Sequence, residues 1–315
     1  MKQCLLIASL LASASVASAE PGAAPVVERA RLEVQPGGKP IKQLSIENPL
    51  GDVKVEGYDG ASIQIETRKQ APDDEGLDRL RVSLVPNPDG TVRLTATADG
   101  GAEYRTLPRG AVRIDLIIRA PRDARIDAVA SAGHLEVINM DGGGELDTAS
   151  GRISVRNMAG VLTTNTVSGE TSLAQVFGTI DAQALSADLS LDTIAGERLI
   201  ASVNRGKIAG RRIRSRQIEL TSTDGRIVLE GEAMLHGRMV IASLNGDVEV
   251  RLRRAVPVLV RARGTKVDLG SAMTNAKAQQ DAWLEAQVGR VAPGATPALV
   301  QLSSRHGNVQ LVFVE

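Results

Sequence analysis

Cysteine is almost absent from this chain of 315 residues, in which Cys4 is the only thiol. A single cysteine excludes an internal disulfide and a zinc site built from several thiolates. Cys4 stands at the start of an apolar run rather than after it, which is not the placement of a lipoprotein cysteine. The fold must therefore be stabilised by packing and hydrogen bonding.

Aromatic residues are also scarce, at 2% of the chain, although 43% of all residues are apolar. That apolar content is enough to bury a core and excludes a disordered chain. The core must be built from Val, Ile, Leu, Ala and Met, which favours a narrow interior of many similar layers. The five aromatic residues are Tyr58, Tyr104, Phe177, Trp283 and Phe313.

An excess of charge of either sign is missing, since 37 basic residues balance 37 acidic residues. Long apolar runs are missing as well, because no run after the first segment reaches the roughly 18 residues that a membrane-spanning helix needs. Nucleic-acid binding is disfavoured too, since the chain lacks the aromatic residues on which bases would stack.

The first segment, "MKQCLLIASLLASASVASAE", has the features of a secretory signal peptide. Lys2 gives a charged start, an apolar run follows, and Ala17-Ser18-Ala19 forms a small-residue cleavage site. We therefore predict a signal peptide over 1–19 and a linker over 20–27. The protein is expected to be exported to the periplasm or to the cell surface and the extracellular space.

Glycine-marked repeats are the strongest pattern in the chain. An alternating run follows each mark, as in "GRISV", "GRIVL", "GDVEV" and "GNVQL". Alternation with a period of two is typical of a strand with one buried face, and glycine gives the backbone the freedom that a sharp corner needs. Successive marks are 18, 18, 18, 19, 19, 21, 18 and 43 residues apart. The marks are Gly133, Gly151, Gly169, Ala187, Gly206, Gly225, Gly246, Gly264 and Gly307.

This spacing is typical of a β-solenoid, in which each coil of the chain stacks on the one before. We predict an all-β fold, a single-stranded β-solenoid or β-helix of about ten coils of 18–21 residues. Equivalent residues of stacked coils form columns about 4.8 Å apart. The position two residues after each mark is predicted to be a buried column, which contains Leu135, Ile153, Thr171, Leu189, Ile208, Ile227, Val248 and Val309.

Charged residues on the outer side of the same strands alternate in sign from one repeat to the next. We predict ion pairs between neighbouring coils, each contributing roughly 0.2–1 kcal/mol and helping to fix the register. The predicted pairs are Arg152–Glu170, Asp188–Lys207 and Arg226–Asp247, with Arg211 between Asp192 and Glu230.

The repeat pattern is less regular towards both ends. Residues 28–125 alternate with looser spacing and are predicted to form an irregular β entry or cap region, with a hairpin that turns at Asn87-Pro88-Asp89-Gly90. Residues 126–315 are predicted to form the regular solenoid. Near 272–296 the pattern breaks, which indicates either a lateral insertion or a degenerate coil.

Several of these motifs resemble those of a bacterial family of exported β-strand-repeat proteins of unknown function. The motifs are "ENPLGDVKVEGYDG", "ASGRISVRNMAG", "TVSGETSLAQVFG", "STDGRIVLEGEA", "SLNGDVEVRLRR" and "SSRHGNVQLVFVE". The family is usually described as adhesins and is akin to the auto-transporter adhesin head. The resemblance covers roughly residues 28–315, and it implies a β-solenoid with an adhesin-like role. It supplies no catalytic residue.

Catalytic and metal-binding patterns are weak. Glu170 and Asp188 on neighbouring coils would approach the roughly 5–5.5 Å separation of the carboxyl groups in a retaining glycosidase, but they also fit the alternating charges described above. The histidines His134, His236 and His306 lack the spacing of metal ligands, and "DGGGELDTASG" occurs once rather than in tandem copies that would bind calcium. We predict no enzymatic activity, cofactor or metal.

Two basic segments form the candidate binding surface. Residues 204–217 and 251–266 each hold six positive groups and no acidic residue. A basic face can meet anionic glycans or lipid headgroups, although acidic residues on the coils between would also neutralise it as ordinary solvated surface. The candidate anion-binding residues are Arg205, Lys207, Arg211, Arg212, Arg214 and Arg216.

The sequence thus leads to three hypotheses of function, none of which identifies the partner. The first is a non-enzymatic exported envelope protein, an adhesin-like binding or scaffolding solenoid. The second is an envelope-sensing or regulatory module that binds an anionic glycan or lipid through residues 205–216 and 251–266. A remote third is a β-helix enzyme that acts on polysaccharide.

Overall fold

The computed structural model describes residues 25–35, 39–99 and 111–314. The described fold is all-β, as predicted. The predicted signal peptide, most of the predicted linker and Tyr104 lie outside the described residues. The described residues form two compact units, the first ending at Ser154 and the second beginning at Val155.

Several strands of the first unit bury every second residue. In the third strand, for example, Val53 and Val55 are buried while Lys54 and Glu56 are partly exposed. Its elements are β1 (Val26–Val34), β2 (Gln43–Asn48), β3 (Val53–Tyr58), β4 (Ile63–Ala71), α1 (Asp74–Asp78), β5 (Leu80–Pro86), β6 (Thr91–Ala98), β7 (Arg113–Pro121) and β8 (Arg125–Met140). Strand β1 thus begins at Val26, inside the segment predicted as a linker.

The pair β2 and β3 lies between strands that come later in the chain. Strand β2 is parallel to both β6 and β8, so that Leu44 is level with Val92 on one side and with Ile126 on the other. Strand β3 is likewise parallel to β7 and β8. The two earliest of these strands, β2 and β3, are therefore inner strands of the sheet, each with a parallel neighbour on both sides.

Antiparallel strands cover this parallel stack. Strand β4 pairs with β7, and β1 pairs with β4. Strand β5 pairs with β6 as a hairpin, and the predicted turn at residues 87–90 is confirmed by a hydrogen bond from the Asn87 N–H to the Thr91 carbonyl, 2.8 Å long. The irregular region expected from the sequence thus combines parallel pairing with antiparallel pairing.

The second unit holds the rest of β9 (Gly144–Arg205), a strand that begins in the first unit, and ten further strands. These are β10 (Ile208–Asp224), β11 (Ile227–Glu232), β12 (Arg238–Ser243), β13 (Val248–Arg253), β14 (Val258–Arg263), β15 (Val267–Asp268), β16 (Lys277–Ala278), β17 (Leu284–Val288), β18 (Ala298–Ser304) and β19 (Val309–Val314). Short 3-10 helices lie at Gly270–Asn275 and Gln280–Ala282.

Parallel pairing in the second unit confirms the predicted buried column. Each member is the backbone partner of the next, in the order Leu189, Ile208, Ile227, Val248 and Val309. None of the five side chains is more than 2% exposed. The repeat spacing therefore predicted the register of these strands correctly from Leu189 to Val248.

Strand β9 returns onto itself every 18 residues in the second unit. A Cβ added to Gly178 would lie 2.0 Å from the Gly160 carbonyl oxygen, and one added to Gly196 would lie 2.1 Å from the Gly178 oxygen. Gly178 and Gly196 also have φ values of 138° and 149°, so any larger residue would be both strained and in collision with the neighbouring backbone. The glycine marks in the sequence predict one corner per repeat, and Gly160, Gly178 and Gly196 form a second corner.

The end of the second unit departs from chain order. Strand β18 lies between β12 and β14, and β19 lies between β13 and β15, all of them parallel. Strand β17 then pairs antiparallel with β14 and covers it. The sequence left open whether residues 272–296 are a lateral insertion or a degenerate coil. The segment forms this antiparallel cover, which includes β16, β17 and the 3-10 helices.

The ion pairs predicted for Arg211 and Arg226 are wrong, and Asp188 meets Lys207 through the backbone N–H rather than through an ion pair. Asp192 pairs with Arg212 rather than with Arg211, because Arg212 occupies a left-handed corner with φ of 52° that alters the alternation of the side chains. Arg226 pairs with Glu249 rather than with Asp247, whose carboxylate accepts the Asn308 N–H at 2.7 Å. Several acidic side chains thus bind the backbone of the adjacent strand instead of a basic side chain.

Candidate functional site

The six candidate anion-binding residues lie on or beside β10. Arg205 ends β9, Lys207 precedes β10, and Arg211, Arg212, Arg214 and Arg216 lie within β10. All six are exposed, whereas Ile208, Gly210, Ile213 and Ser215 between them are buried. The alternation of apolar and basic residues therefore directs the positive groups outward.

Two of the six are neutralised by acidic residues of the preceding strand. Arg212 forms an ion pair with Asp192, and its Nε donates to Thr193 Oγ1 at 2.8 Å. Arg216 Nη1 lies 3.5 Å from Glu197 Oε1. Each pair is exposed, so it contributes only about 0–1 kcal/mol to stability, but each reduces the positive charge that is free to attract an anion.

The positive charges of the other four residues are not balanced by an ion pair. Among the described residues, no carboxylate forms an ion pair with Arg205, Lys207, Arg211 or Arg214. Lys207 does donate its backbone N–H to Asp188 Oδ1, at 2.8 Å, while its side chain remains exposed. The basic segment therefore contains a free positive surface made of four side chains.

The second basic segment, 251–266, is more strongly engaged. Arg251 pairs with Glu249 at 3.2 Å and Arg261 with Glu285 at 2.8 Å. The guanidinium groups of Arg254 and Arg263 lie over the rings of Phe313 and Trp283, at 5.5 Å and 5.2 Å from the ring centroids. Most of these residues thus have a structural role around the covered end of the second unit.

The two segments are separated by a single strand, since β11 lies between β10 and β13. Arg251 and Arg253 of β13 are therefore two strands away from β10. Glu230 on β11 is level with Arg251 and Glu232 with Arg253, which places negative charge between the two basic strands.

The weaker candidates have ordinary structural partners. The Asp188 carboxylate accepts the backbone N–H of Lys207, and Glu170 also has a bonding partner. The backbone N–H groups of His134 and His306 donate to Asp52 Oδ1 and to the Leu244 carbonyl. In residues 25–35, 39–99 and 111–314, no group of three or more His, Cys, Asp or Glu side chains could hold a metal ion. Nor does any helix in this part of the chain combine the length and the apolar character needed to cross a membrane.

Comparisons with known proteins give a distant likeness only. No family model matches the chain, and no curated protein matches it. A solved structure from Bacteroides fragilis, described as a "putative adhesin", has 11% identity and a TM-score of 0.39, covering 90% of this chain and 97% of its own. One from Parabacteroides distasonis, described as a "putative lipid binding protein", has 12% identity and a TM-score of 0.39, covering 90% and 96%.

A third structure, described as a "putative cell adhesion protein" from Clostridium sporogenes, has 11% identity and a TM-score of 0.26, covering 92% of this chain and all of its own. At these identities and TM-scores the likeness carries no argument about function.

Proposed function

We propose that this chain is a non-enzymatic exported protein of the cell envelope, an adhesin-like β-solenoid that binds or scaffolds a partner through its outer faces. The observation that carries the proposal is the parallel register of the second unit, in which equivalent residues of successive repeats are backbone partners. Such stacking produces long, regular outer surfaces, and proteins of this kind contact partners by surface rather than by a deep pocket.

The proposal is tested by capture from fractionated envelope. A chain starting at residue 20 would be immobilised and incubated separately with peptidoglycan, lipopolysaccharide, lipid vesicles and solubilised membrane proteins, at low and at high salt. Reproducible capture of one fraction supports a binding or scaffolding role. Cleavage of a polysaccharide fraction by the purified chain would contradict the non-enzymatic proposal, and Glu170→Gln and Asp188→Asn would then test the one carboxylate pair that the sequence singles out.

A second candidate is recognition of an anionic glycan or lipid by the basic segments, in a sensing or regulatory role. It is favoured by the four exposed basic side chains of residues 205–214 that have no ion-pair partner among the described residues. Arg211→Gln with Arg214→Gln should reduce salt-sensitive capture without disturbing the ion pairs of Arg212 and Arg216. Unchanged capture by this double variant would rule out this candidate.

A further inference from the structure

An open hollow lies on the outer side of β9, β10 and β12, and its lining begins at Gln217, directly after Arg216 of the basic segment. Its volume is ≈ 220 Å³. Arg198 and Ile200 of β9 line one side, Gln217 and Glu219 of β10 form the middle, and Arg238 and Val240 of β12 line the other side. None of these residues stands out in the sequence, because each belongs to an ordinary alternating strand.

The strand register places the side chains of the hollow in two rows. Gln217 is level with Arg198 on one side and with Arg238 on the other. Glu219 is level with Ile200 and Val240 in the same way. Because neighbouring strands are about 4.8 Å apart, the backbones of the two arginines are roughly 9.6 Å apart, with one strand between them.

Both arginines are free to bind an anion. Arg198 and Arg238 are exposed, and within the described part of the chain neither forms an ion pair or a hydrogen bond through its side chain. Arg212, Arg226 and Arg261, by contrast, each have a carboxylate partner. Arg198 and Arg238 thus present two unpaired guanidinium groups to the same hollow.

The other side chains restrict the chemistry of the ligand. A guanidinium can bind a carboxylate through two parallel hydrogen bonds, so the two arginines suit two separated anionic groups. The Gln217 amide and the Glu219 carboxylate between them can accept hydrogen bonds from hydroxyl groups, and Ile200 and Val240 offer apolar surface to the C–H face of a ring. Acceptors for hydroxyl groups beside apolar surface favour a sugar over a lipid phosphate as the ligand.

We propose that this hollow binds an acidic polysaccharide whose chain runs across β9, β10 and β12, with carboxylates on Arg198 and Arg238 and sugar hydroxyls on Gln217 and Glu219. This inference rests on the proposed function, since it names a site and a ligand class for an envelope-binding protein. It places recognition on a different set of residues from the basic segments 205–216 and 251–266.

The test is isothermal titration calorimetry, in which the chain from residue 20 is titrated with galacturonic acid and, separately, with its trimer. The trimer should bind more tightly than the monomer, because only the trimer can reach both arginines, and its methyl ester should not bind. Arg198→Gln with Arg238→Gln should weaken trimer binding about tenfold or more, because it removes both charge-assisted contacts. Arg290→Gln with Arg305→Gln, which removes the same charge from exposed sites elsewhere, should leave it within about twofold.

Several results would overturn the assignment. Equal binding of the charged trimer and its methyl ester would exclude recognition of the carboxylates. Loss of trimer binding in the Arg211→Gln, Arg214→Gln variant but not in the Arg198→Gln, Arg238→Gln variant would move recognition to the basic segment. Binding to phosphatidylglycerol vesicles but not to the trimer would exclude a glycan ligand, while the envelope capture experiment would still judge the proposed function separately.

Discussion

At the scale of single residues, the core of the second unit contains hydroxyl groups where other repeats have aliphatic side chains. Thr166 Oγ1 and Thr171 Oγ1 are 2.7 Å apart and form a buried hydrogen bond. Thr164 is 0% exposed, and its hydroxyl has no hydrogen-bond partner among the described residues. An unpaired buried hydroxyl costs stability, whereas a paired one is close to neutral.

Thr164→Val should therefore raise the free energy of unfolding by about 1 kcal/mol, because valine has a similar shape and no polar group to desolvate. Thr166→Val should lower it by about 1 kcal/mol, since it leaves the Thr171 hydroxyl unpaired. Urea denaturation of both variants measures the difference. A stabilised Thr166→Val variant would contradict the role assigned to the Thr166–Thr171 pair.

The hairpin between β5 and β6 provides a charge whose effect depends on pH. The backbone N–H of Thr91 donates to Asp89 Oδ1 at 2.9 Å, and this hydrogen bond lowers the pKa of Asp89 below its ordinary value of 3.8. A carboxyl with a depressed pKa stabilises the fold above its unfolded-state pKa, and that contribution is lost as pH falls through the folded-state value.

Asp89→Asn should thus destabilise the hairpin at neutral pH and have little effect well below pH 3.8, where the native aspartate is protonated as well. Hydrogen exchange of the Thr91 amide at the two pH values measures the effect locally. Asp99→Asn, which changes a carboxylate at the far end of β6 that pairs with Arg81 instead, is the matched control. Equal protection in the Asp89→Asn variant and the native chain at neutral pH would refute the role of the charge.

At the scale of strands, the sequence predicted register better than it predicted side-chain partners. Period-two alternation and the glycine spacing placed Leu189, Ile208 and Ile227 correctly, because burial forces equivalent residues onto one face. The ion pairs were less predictable, since long side chains on an exposed face choose among several neighbours of similar energy. The left-handed corners at Gln175, Thr193 and Arg212 gave no signal, because none of these residues is glycine.

The register of β9, β10 and β11 can be tested with engineered cysteines, since a chain starting at residue 20 has no native thiol. Ser190 and Ala209 are backbone partners, so Ser190→Cys with Ala209→Cys should form a disulfide on mild oxidation. Their Cα atoms are expected about 4.8 Å apart, within the range that a disulfide spans. The readout is mobility on a non-reducing gel.

Ser190→Cys with Val228→Cys is the matched control for this cross-link. Val228 is the partner of Ala209 on its other side, which places it two strands from Ser190 and roughly 9.6 Å away, too far for a disulfide. Efficient cross-linking of the control pair, or none in the neighbouring pair, would contradict the register.

At the scale of the whole molecule, each unit has inner strands whose neighbours are not their neighbours in the sequence. In the first unit β2 and β3 lie between later strands, and in the second β18 and β19 lie between earlier ones. Sequence spacing could not predict this, because every strand shows the same alternation whichever neighbour it has. The sequence did not predict the hollow with Arg198 and Arg238 for a similar reason, since its residues come together only when β9, β10 and β12 pair.

Trp283 makes the arrangement of the second unit measurable, because it is the only tryptophan in the chain and lies in the antiparallel cover. A chain that ends after Pro297 lacks β18, the parallel partner of β14. The cover should then detach, so that the fluorescence emission of Trp283 shifts to longer wavelength and the urea m-value falls.

Full-length Arg263→Gln is the control for this truncation, since it removes only the guanidinium that stacks on Trp283. It should change the emission slightly and leave the m-value unchanged. Native-like emission in the truncated chain would show that the cover is held independently of β18.

The position of β18 and β19 also has a consequence for the order in which the chain is made. Residues 258–296 leave the ribosome before the strands on which β14 and β15 stack, since β18 and β19 come last. During that interval β12 and β13 have an open edge, and exposed strand edges readily pair with other chains. Completion of residues 298–314 therefore closes the edge, and a polypeptide stalled shortly before this point would be prone to aggregate.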